Sequence, residues 1–227
     1  MRVFNYVIFI SALFLTAAKA AADGVSPYLP VNMSPEIEKH IEKLIVLANV
    51  PYINKPYPAA IIQQHLPKIK SSHPLLYQRI SAYLKRYKSQ YAVTQRSVAM
   101  YAGSNKQESI PNDRGTKDVD GLKISTQVIA QPSPYVLASL GGVHYSDKGF
   151  IANQSYLSIG DTLYQVDIGF REHWIGPFTH GAMMHSTNAE PSPSVTIGNY
   201  EPITDWNVFY QLFFSRLEYV EGIELGE

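Results

Sequence analysis

Cysteine is absent from all 227 residues, so neither a disulfide framework nor the lipid-modified cysteine of a bacterial lipoprotein is open to this chain. Packing and hydrogen bonds alone must hold the fold. Charge is scarce: 17% of residues are charged, 19 basic against 19 acidic, which is not the footprint of a nucleic-acid-binding surface. Long apolar runs are missing as well. After residue 20 no segment approaches the roughly 18 uninterrupted apolar residues of a membrane-spanning helix. Tryptophan occurs twice and tyrosine 16 times, a bias that suits aromatic girdles or sugar contacts, and equally an ordinary tyrosine-rich β-domain.

What is present begins with an address. Arg2 supplies a positive start, Val3 to Ala18 an apolar stretch, and Ala18-Lys19-Ala20 a small-residue cleavage site. Residues 1–20 are read as a secretory signal peptide, since the run is interrupted by Asn5 and falls short of the ~20 residues that cross a bilayer. Its removal deletes Arg2 and Lys19, leaving 17 basic against 19 acidic residues.

Residues 21–90 have the marks of a small helical unit. Ser34 is placed as an N-cap, Pro35 as the first helical residue and Glu36 in the first turn. Ile37, Ile41, Leu44, Ile45 and Ala48 then recur at helical spacing, with Glu38, Lys39, Glu42 and Lys43 on the other face. Proline at 51, 56 and 58 breaks the chain before a short apolar segment, Ala59 to Leu66. A third helix is expected from Pro74, with Leu76, Ile80, Tyr83, Leu84 and Tyr87 on one stripe and Arg79, Lys85, Arg86 and Lys88 solvated. Helices this short need a partner surface on which to bury their stripes.

Beyond Gln90 the period changes from 3.6 to 2. In Leu163 to Arg171, Tyr164, Val166, Ile168 and Phe170 point one way and Gln165, Asp167, Gly169 and Arg171 the other. Ile124, Thr126, Val128 and Ala130 similarly oppose Lys123, Ser125, Gln127 and Gln131. Further strands are expected at 93–101, 135–145, 150–159, 194–200 and 207–217. Turns are read at Pro132-Ser133-Pro134, at Asp147-Lys148-Gly149 as a three-residue loop, and at Gly160-Asp161 as a two-residue one. Two longer polar interruptions fall at 102–122 and 172–193. Gly141-Gly142 is read as a bulge or a close approach within its strand.

An antiparallel meander with one apolar face fits half of a soluble sandwich or the wall of a membrane barrel, and period alone does not choose. The polar set Gln165, Asp167 and Arg171 suits a wet lumen and tilts the choice to the barrel. Residues 91–227 suffice for about seven or eight strands of barrel length, so the expectation is either a very small barrel or the N-terminal part of a larger one. Residues 207–217 are apolar on both faces and leave their orientation open.

The chain resembles the capsule assembly (Wzi) family of Gram-negative outer membranes. The likeness runs from Tyr28-Leu29-Pro30 and Ser34-Pro35-Glu36-Ile37-Glu38 through Gly169-Phe170-Arg171-Glu172-His173-Trp174 to Ser186-Thr187-Asn188-Ala189-Glu190-Pro191-Ser192-Pro193-Ser194. The resemblance implies a mainly β fold: an outer-membrane antiparallel β-barrel, incomplete here, over residues 91–227, preceded by a periplasmic helical bundle. It implies a lectin-like role, without catalysis or cofactor, in attaching capsular or extracellular polysaccharide at the cell surface. Polysaccharide and outer-membrane lipid would be the partners of a monomer. The competing expectations are an outer-membrane solute channel and a soluble periplasmic sugar-active protein.

A glycan at a barrel mouth needs aromatic faces for its rings and polar groups for its hydroxyls. Arg171, Glu172, Trp174 and Asn188 offer those types; their bland reading is an Arg171–Glu172 pair in the wall with Trp174 at the membrane interface. His173, His180 and His185 lack metal-ligand spacing. Asp161, Asp167, Glu172 and Glu190 are read as solvated or ion-paired acids rather than a hydrolytic pair. No nucleophile elbow or phosphate-binding loop occurs, and Asn153-Gln154-Ser155 formally matches a glycosylation acceptor that a bacterium would not use.

Overall fold

The computed structural model describes residues 24–216 apart from 53, 102–120, 147–148, 177, 179–190 and 204. The signal peptide expected at 1–20 therefore lies outside the described residues, and no described helix is long and apolar enough to cross a membrane.

Among the described residues three α-helices precede the sheet: α1 (Pro35–Leu47), α2 (Ala59–His65) and α3 (Pro74–Leu84), the last two extended by 3-10 turns at Leu66–Ile69 and Lys85–Tyr87. The start of α1 follows from its residues. Ser34 Oγ accepts from the Ile37 amide at 3.4 Å, Pro35 sits where no amide is needed, and Glu36 and Glu38 face the positive end of the helix dipole. Asn49, with φ at 51°, ends it in the left-handed conformation that asparagine tolerates. Ile41, Leu44, Ile62, Ile80 and Leu84 meet in one core, which also takes in Ile129 and Tyr200. The partner surface that the helices need is thus one end of the sheet.

Glu38 does not share the solvated face expected for it. It is buried and holds Lys55 Nζ at 2.6 Å, while Glu42 holds the same ammonium at 2.9 Å. A lysine arriving from the proline-broken segment 51–58 makes this burial tolerable.

Among the described residues the sheet has eight strands: β1 (Tyr91–Tyr101), β2 (Gly121–Ser133), β3 (Val136–Tyr145), β4 (Gly149–Ala152), β5 (Ser155–Gly160), β6 (Gln165–Phe170), β7 (Ser194–Gly198) and β8 (Gln211–Ser215). All pairings are antiparallel, in the order β1-β2-β3-β5-β6-β7-β8, with β4 continuing the β5 column against the far half of β3. The sheet is open, with no pairing between β1 and β8. It is not closed into a barrel.

Several boundaries depart from the sequence expectations. The strand expected at 150–159 breaks in two, because Gln154 takes a positive φ of 58° between β4 and β5. The loop after β5 has four residues rather than two: Gly160 pairs with Gln165, and Asp161 Oδ1 accepts from the amides of Leu163 (2.8 Å) and Tyr164 (3.2 Å). That side-chain turn satisfies two amides at once and moves the start of β6 from 163 to 165. Of the strand expected at 207–217, the described residues 207–216 are strand over Gln211–Ser215, after Asn207 at φ 58°. Ser133 pairs with Val136, so the turn falls on Pro134-Tyr135. Gly141-Gly142 is a close approach: a Cβ on Gly141 would stand 2.4 Å from the Asn153 carbonyl oxygen, and one on Gly142 2.2 Å from the Phe150 ring.

The faces of the sheet are inverted relative to a soluble domain. One face carries Val98, Ile124, Val128, Leu140, Leu157, Ile168, Val195 and Phe214, all exposed. The other carries Thr94, Ser125, Gln127, Ser139, Ser158, Asp167 and Thr196, all buried. The register also settles β8: Phe213 pairs with Thr196 and turns inward onto His173, while Leu212 and Phe214 turn out.

Candidate functional site

The polar face of the sheet is covered by an extended strap, residues 24–33, that crosses it before α1. The Val25 amide donates to the Pro134 carbonyl at 2.7 Å, and Gln165 pairs with both backbone groups of Ser26, accepting at 2.9 Å and donating at 3.2 Å. Tyr28 then reaches the centre of the face. Its hydroxyl donates to Asp167 Oδ2 at 3.0 Å, and its ring lies under the Arg171 guanidinium, 4.1 Å from Cζ to centroid.

Asp167 is the hub of this network. Besides Tyr28 it accepts from Arg171 Nη1 (2.8 Å), Ser158 Oγ (2.6 Å) and Gln165 Nε2 (2.8 Å). Four donors on a fully buried carboxylate supply what water would have supplied. Burial pushes the Tyr28 hydroxyl well above its ordinary pKa, partly offset by the Arg171 charge, so Tyr28 remains a donor throughout the physiological range. Tyr52 is pushed up to about 12 by the same cause, again with Arg171 opposing.

Three of the four residues expected at a glycan contact lie within this packed region. Arg171 is buried and pairs with Asp167 rather than with Glu172. Glu172 is buried, accepting on Oε2 from the Val31 amide (3.1 Å) and from Gln154 Nε2 (3.0 Å). Trp174, only 1% exposed, exchanges backbone hydrogen bonds with Lys55 and donates from Nε1 to the Phe178 carbonyl at 2.9 Å. All three are buried, and they tie the sheet to the strap and to the segment before α2. Asn188, like His180, His185 and Glu190, lies outside the described residues. His173 stacks on Phe213 at 4.4 Å and stands 3.0 Å from Gln211 Nε2.

The structure opens elsewhere. A cleft of about 690 Å³ lies between α1, α3 and the inner side of β1, lined by His40, Arg79, Tyr83, Arg86, Gln95 and Arg96 among others. Arg86 donates to the Tyr83 and Thr94 carbonyls (3.1 and 3.0 Å) and sits 4.8 Å over the Tyr83 ring. Arg79 pairs with Glu36 at 2.6 Å, both well exposed. Sequence reasoning missed this site because Arg79 and Arg86 look like the solvated face of an amphipathic helix, and nothing in the spacing brings Arg96 to them. The one readable anomaly was Arg96 itself, a charge within an otherwise uncharged strand.

Compared with known proteins, residues 88–220 match the family model described as capsule assembly protein Wzi. No curated protein and no solved structure matches the chain. The matched span contains every strand of the inverted sheet and the arginine, glutamate and tryptophan that tie it to the strap, and it exceeds half of the 227 residues. The chain belongs to the Wzi capsule assembly family.

Proposed function

We propose that the strands from Tyr91 onward form part of the wall of an outer-membrane β-barrel, with the strap and helices closing its polar side toward the periplasm. In this reading the protein acts without catalysis as a lectin-like attachment point for capsular or extracellular polysaccharide at the cell surface. Its partners are that polymer and outer-membrane lipid. Neither nucleic acid, nor a cofactor, nor a second copy of the chain is required.

The inversion of the sheet carries the reading. Leu140 is 70% exposed and Met100 83%, while Asp167 and Gln165 are buried. Leaving such apolar side chains in water forfeits about 1.5–3 kcal/mol each, and a contiguous patch across seven columns far exceeds what soluble monomers expose. Lipid removes the penalty. Exposed aromatics at the helix end, Tyr91, Tyr135, Tyr164 and Trp206, agree with an interfacial girdle.

The reading is tested by fractionation and by deletion. The full chain is expected in the outer-membrane fraction, resistant to carbonate and running as a heat-modifiable band. Cells lacking it should shed capsule into the medium while making a normal amount. A protein recovered in the osmotic-shock fluid, or unchanged retention after deletion, would sink the proposal. An open solute channel is the second reading. The strap hydrogen-bonded across the polar face weighs against it, and planar-bilayer conductance separates the two, a closed attachment protein giving little current.

A further inference from the structure

We infer that the turn joining α3 to β1 is a docking surface for anionic phospholipid on the periplasmic side of the membrane. The inference rests on the barrel-wall reading proposed above and adds which class of lipid is held and by which residues.

Charge is divided unevenly along the chain. Residues 21–90 hold nine basic and four acidic side chains, residues 91–227 eight and fifteen. Three of the four acids of the helical unit are already engaged, Glu36 by Arg79, and Glu38 and Glu42 by Lys55. The excess of cations is densest where the helices meet the sheet. In Lys85-Arg86-Tyr87-Lys88 the 3-10 turn sends Tyr87 inward and leaves Lys85, Arg86 and Lys88 exposed. Among the described residues no carboxylate pairs with any of the three.

The height of this turn is set by the chain. Lys88 is three residues from Tyr91, which is 68% exposed in the aromatic girdle. Even fully extended, that spacing keeps Lys88 within about 11 Å of the girdle, roughly the screening length at physiological salt. Cations at this level lie among the headgroups, where each one strengthens attraction to anionic lipid roughly fivefold. Continuity with the apolar face favours lipid over a soluble acidic partner. A groove of about 460 Å³ is lined by Lys85, Arg86, Ser89 and Val93 among others, and Val93 pairs with Val128 on the exposed apolar face. A phosphate at Lys85 places its acyl chains along Val93 and Val128, whereas an acidic peptide would leave those side chains uncovered. A strand added beside β1 does not fill the groove. The register of β1 shifts between Val93 and Gln95, and Arg86 Nη1 donates to the Thr94 carbonyl at that bulge (3.0 Å), so the edge is capped there and further pairing begins above it.

The test uses the full chain folded in phosphatidylcholine vesicles, with Ser89→Trp as reporter in a Trp206→Phe background; Trp174 is buried and supplies a constant signal. Brominated phosphatidylglycerol or brominated phosphatidylcholine is added as quencher. At the Ser89→Trp reporter phosphatidylglycerol should be preferred at least about tenfold. The preference should fall toward one in high salt and in the Lys85→Gln/Lys88→Gln double variant, and Lys85→Arg/Lys88→Arg should keep it. A Tyr164→Trp reporter, on the same girdle but beside Asp161, should show no preference. Equal quenching by the two lipids at Ser89→Trp, the same preference at both reporters, a preference undiminished in the glutamine variant, or its abolition by millimolar inorganic phosphate at constant ionic strength would overturn the inference. If the glutamine double variant loses the heat-modifiable folded band, Lys88→Gln alone should lower the preference, and an unchanged value there would overturn the inference equally. Quenching by neither lipid at either reporter would instead strike at the barrel-wall reading.

Discussion

Removing the Asp167 carboxylate is the most severe single change that the inner face predicts. Asp167→Leu strands the Arg171 guanidinium, which is 4% exposed and has Asp167 as its ion-pair partner; breaking a buried pair from one side costs about 3–5 kcal/mol. The Tyr28 and Ser158 hydroxyls lose their acceptor as well, about 1 kcal/mol each. Arg171→Met should cost less, about 1–3 kcal/mol, because Asp167 keeps three donors and the main losses are the ion pair and the contact over the Tyr28 ring. The double variant leaves only the two hydroxyls short. It should therefore be more stable than Asp167→Leu alone, with a coupling of roughly 2–4 kcal/mol. The assay is urea unfolding of the bilayer-folded protein, followed by the fluorescence of buried Trp174 in a Trp206→Phe background, since Trp206 is 90% exposed and would mask it. A double variant whose loss equals the sum of the two single losses would refute the network, placing Asp167 and Arg171 in contact with water rather than with each other.

Three further outcomes follow from the same geometry. Leu140→Lys should destabilise the bilayer-folded protein by about 2–4 kcal/mol; an effect within about 0.5 kcal/mol would mean that the face meets water. Unfolded tyrosine ionises near pH 10 and folded Tyr52 near 12, so between those values only the unfolded state releases this proton. Tyr52's contribution is intact below pH 10 and lost as pH rises to 12, by up to about 3 kcal/mol. Tyr52→Phe should flatten that stretch of the stability-against-pH curve, and a profile unchanged from wild type would contradict its burial. Gly169→Ala should be far more damaging than Gly142→Ala. At 169 a Cβ meets the Ser155 carbonyl oxygen at 2.3 Å with φ at 135°, whereas at 142 it meets the tip of the exposed Phe150 ring, which can swing aside. Equal losses of folded band would show that the β5–β6 approach is looser than described.

The helices were legible because their signals are local. Ser34, Pro35 and Glu36 set a start, the stripe Leu76-Ile80-Leu84 set a buried face, and both are realised within a residue or two. The change of period after Gln90 likewise placed the strands, since alternation survives whichever side faces lipid. Hairpin ends were harder: the Asp161 side chain competes with the ladder for two amides, and no alternation of hydrophobicity records that. The sites were hardest. Arg171, Glu172 and Trp174 have the residue types of a sugar contact, yet long-range partners decide whether such types face out, and Val31, Asp167 and Lys55 lie far from them in the chain or on its polar face. The cleft was illegible for the same reason, being assembled from α1, α3 and β1 at separations no motif spans.

The topology carries a constraint on how such a sheet meets a membrane. Because β4 and β5 occupy one column against β3, the path from β1 to β8 runs over seven columns, each antiparallel to the next. Six reversals bring β8 back to the direction of β1. Joining these two edges directly would therefore create a parallel pair, and an all-antiparallel wall requires an odd number of strands between them. In a bilayer the unpaired amides and carbonyls of either edge would each cost several kcal/mol, so the edges must be covered by strands of that odd count and of antiparallel sense.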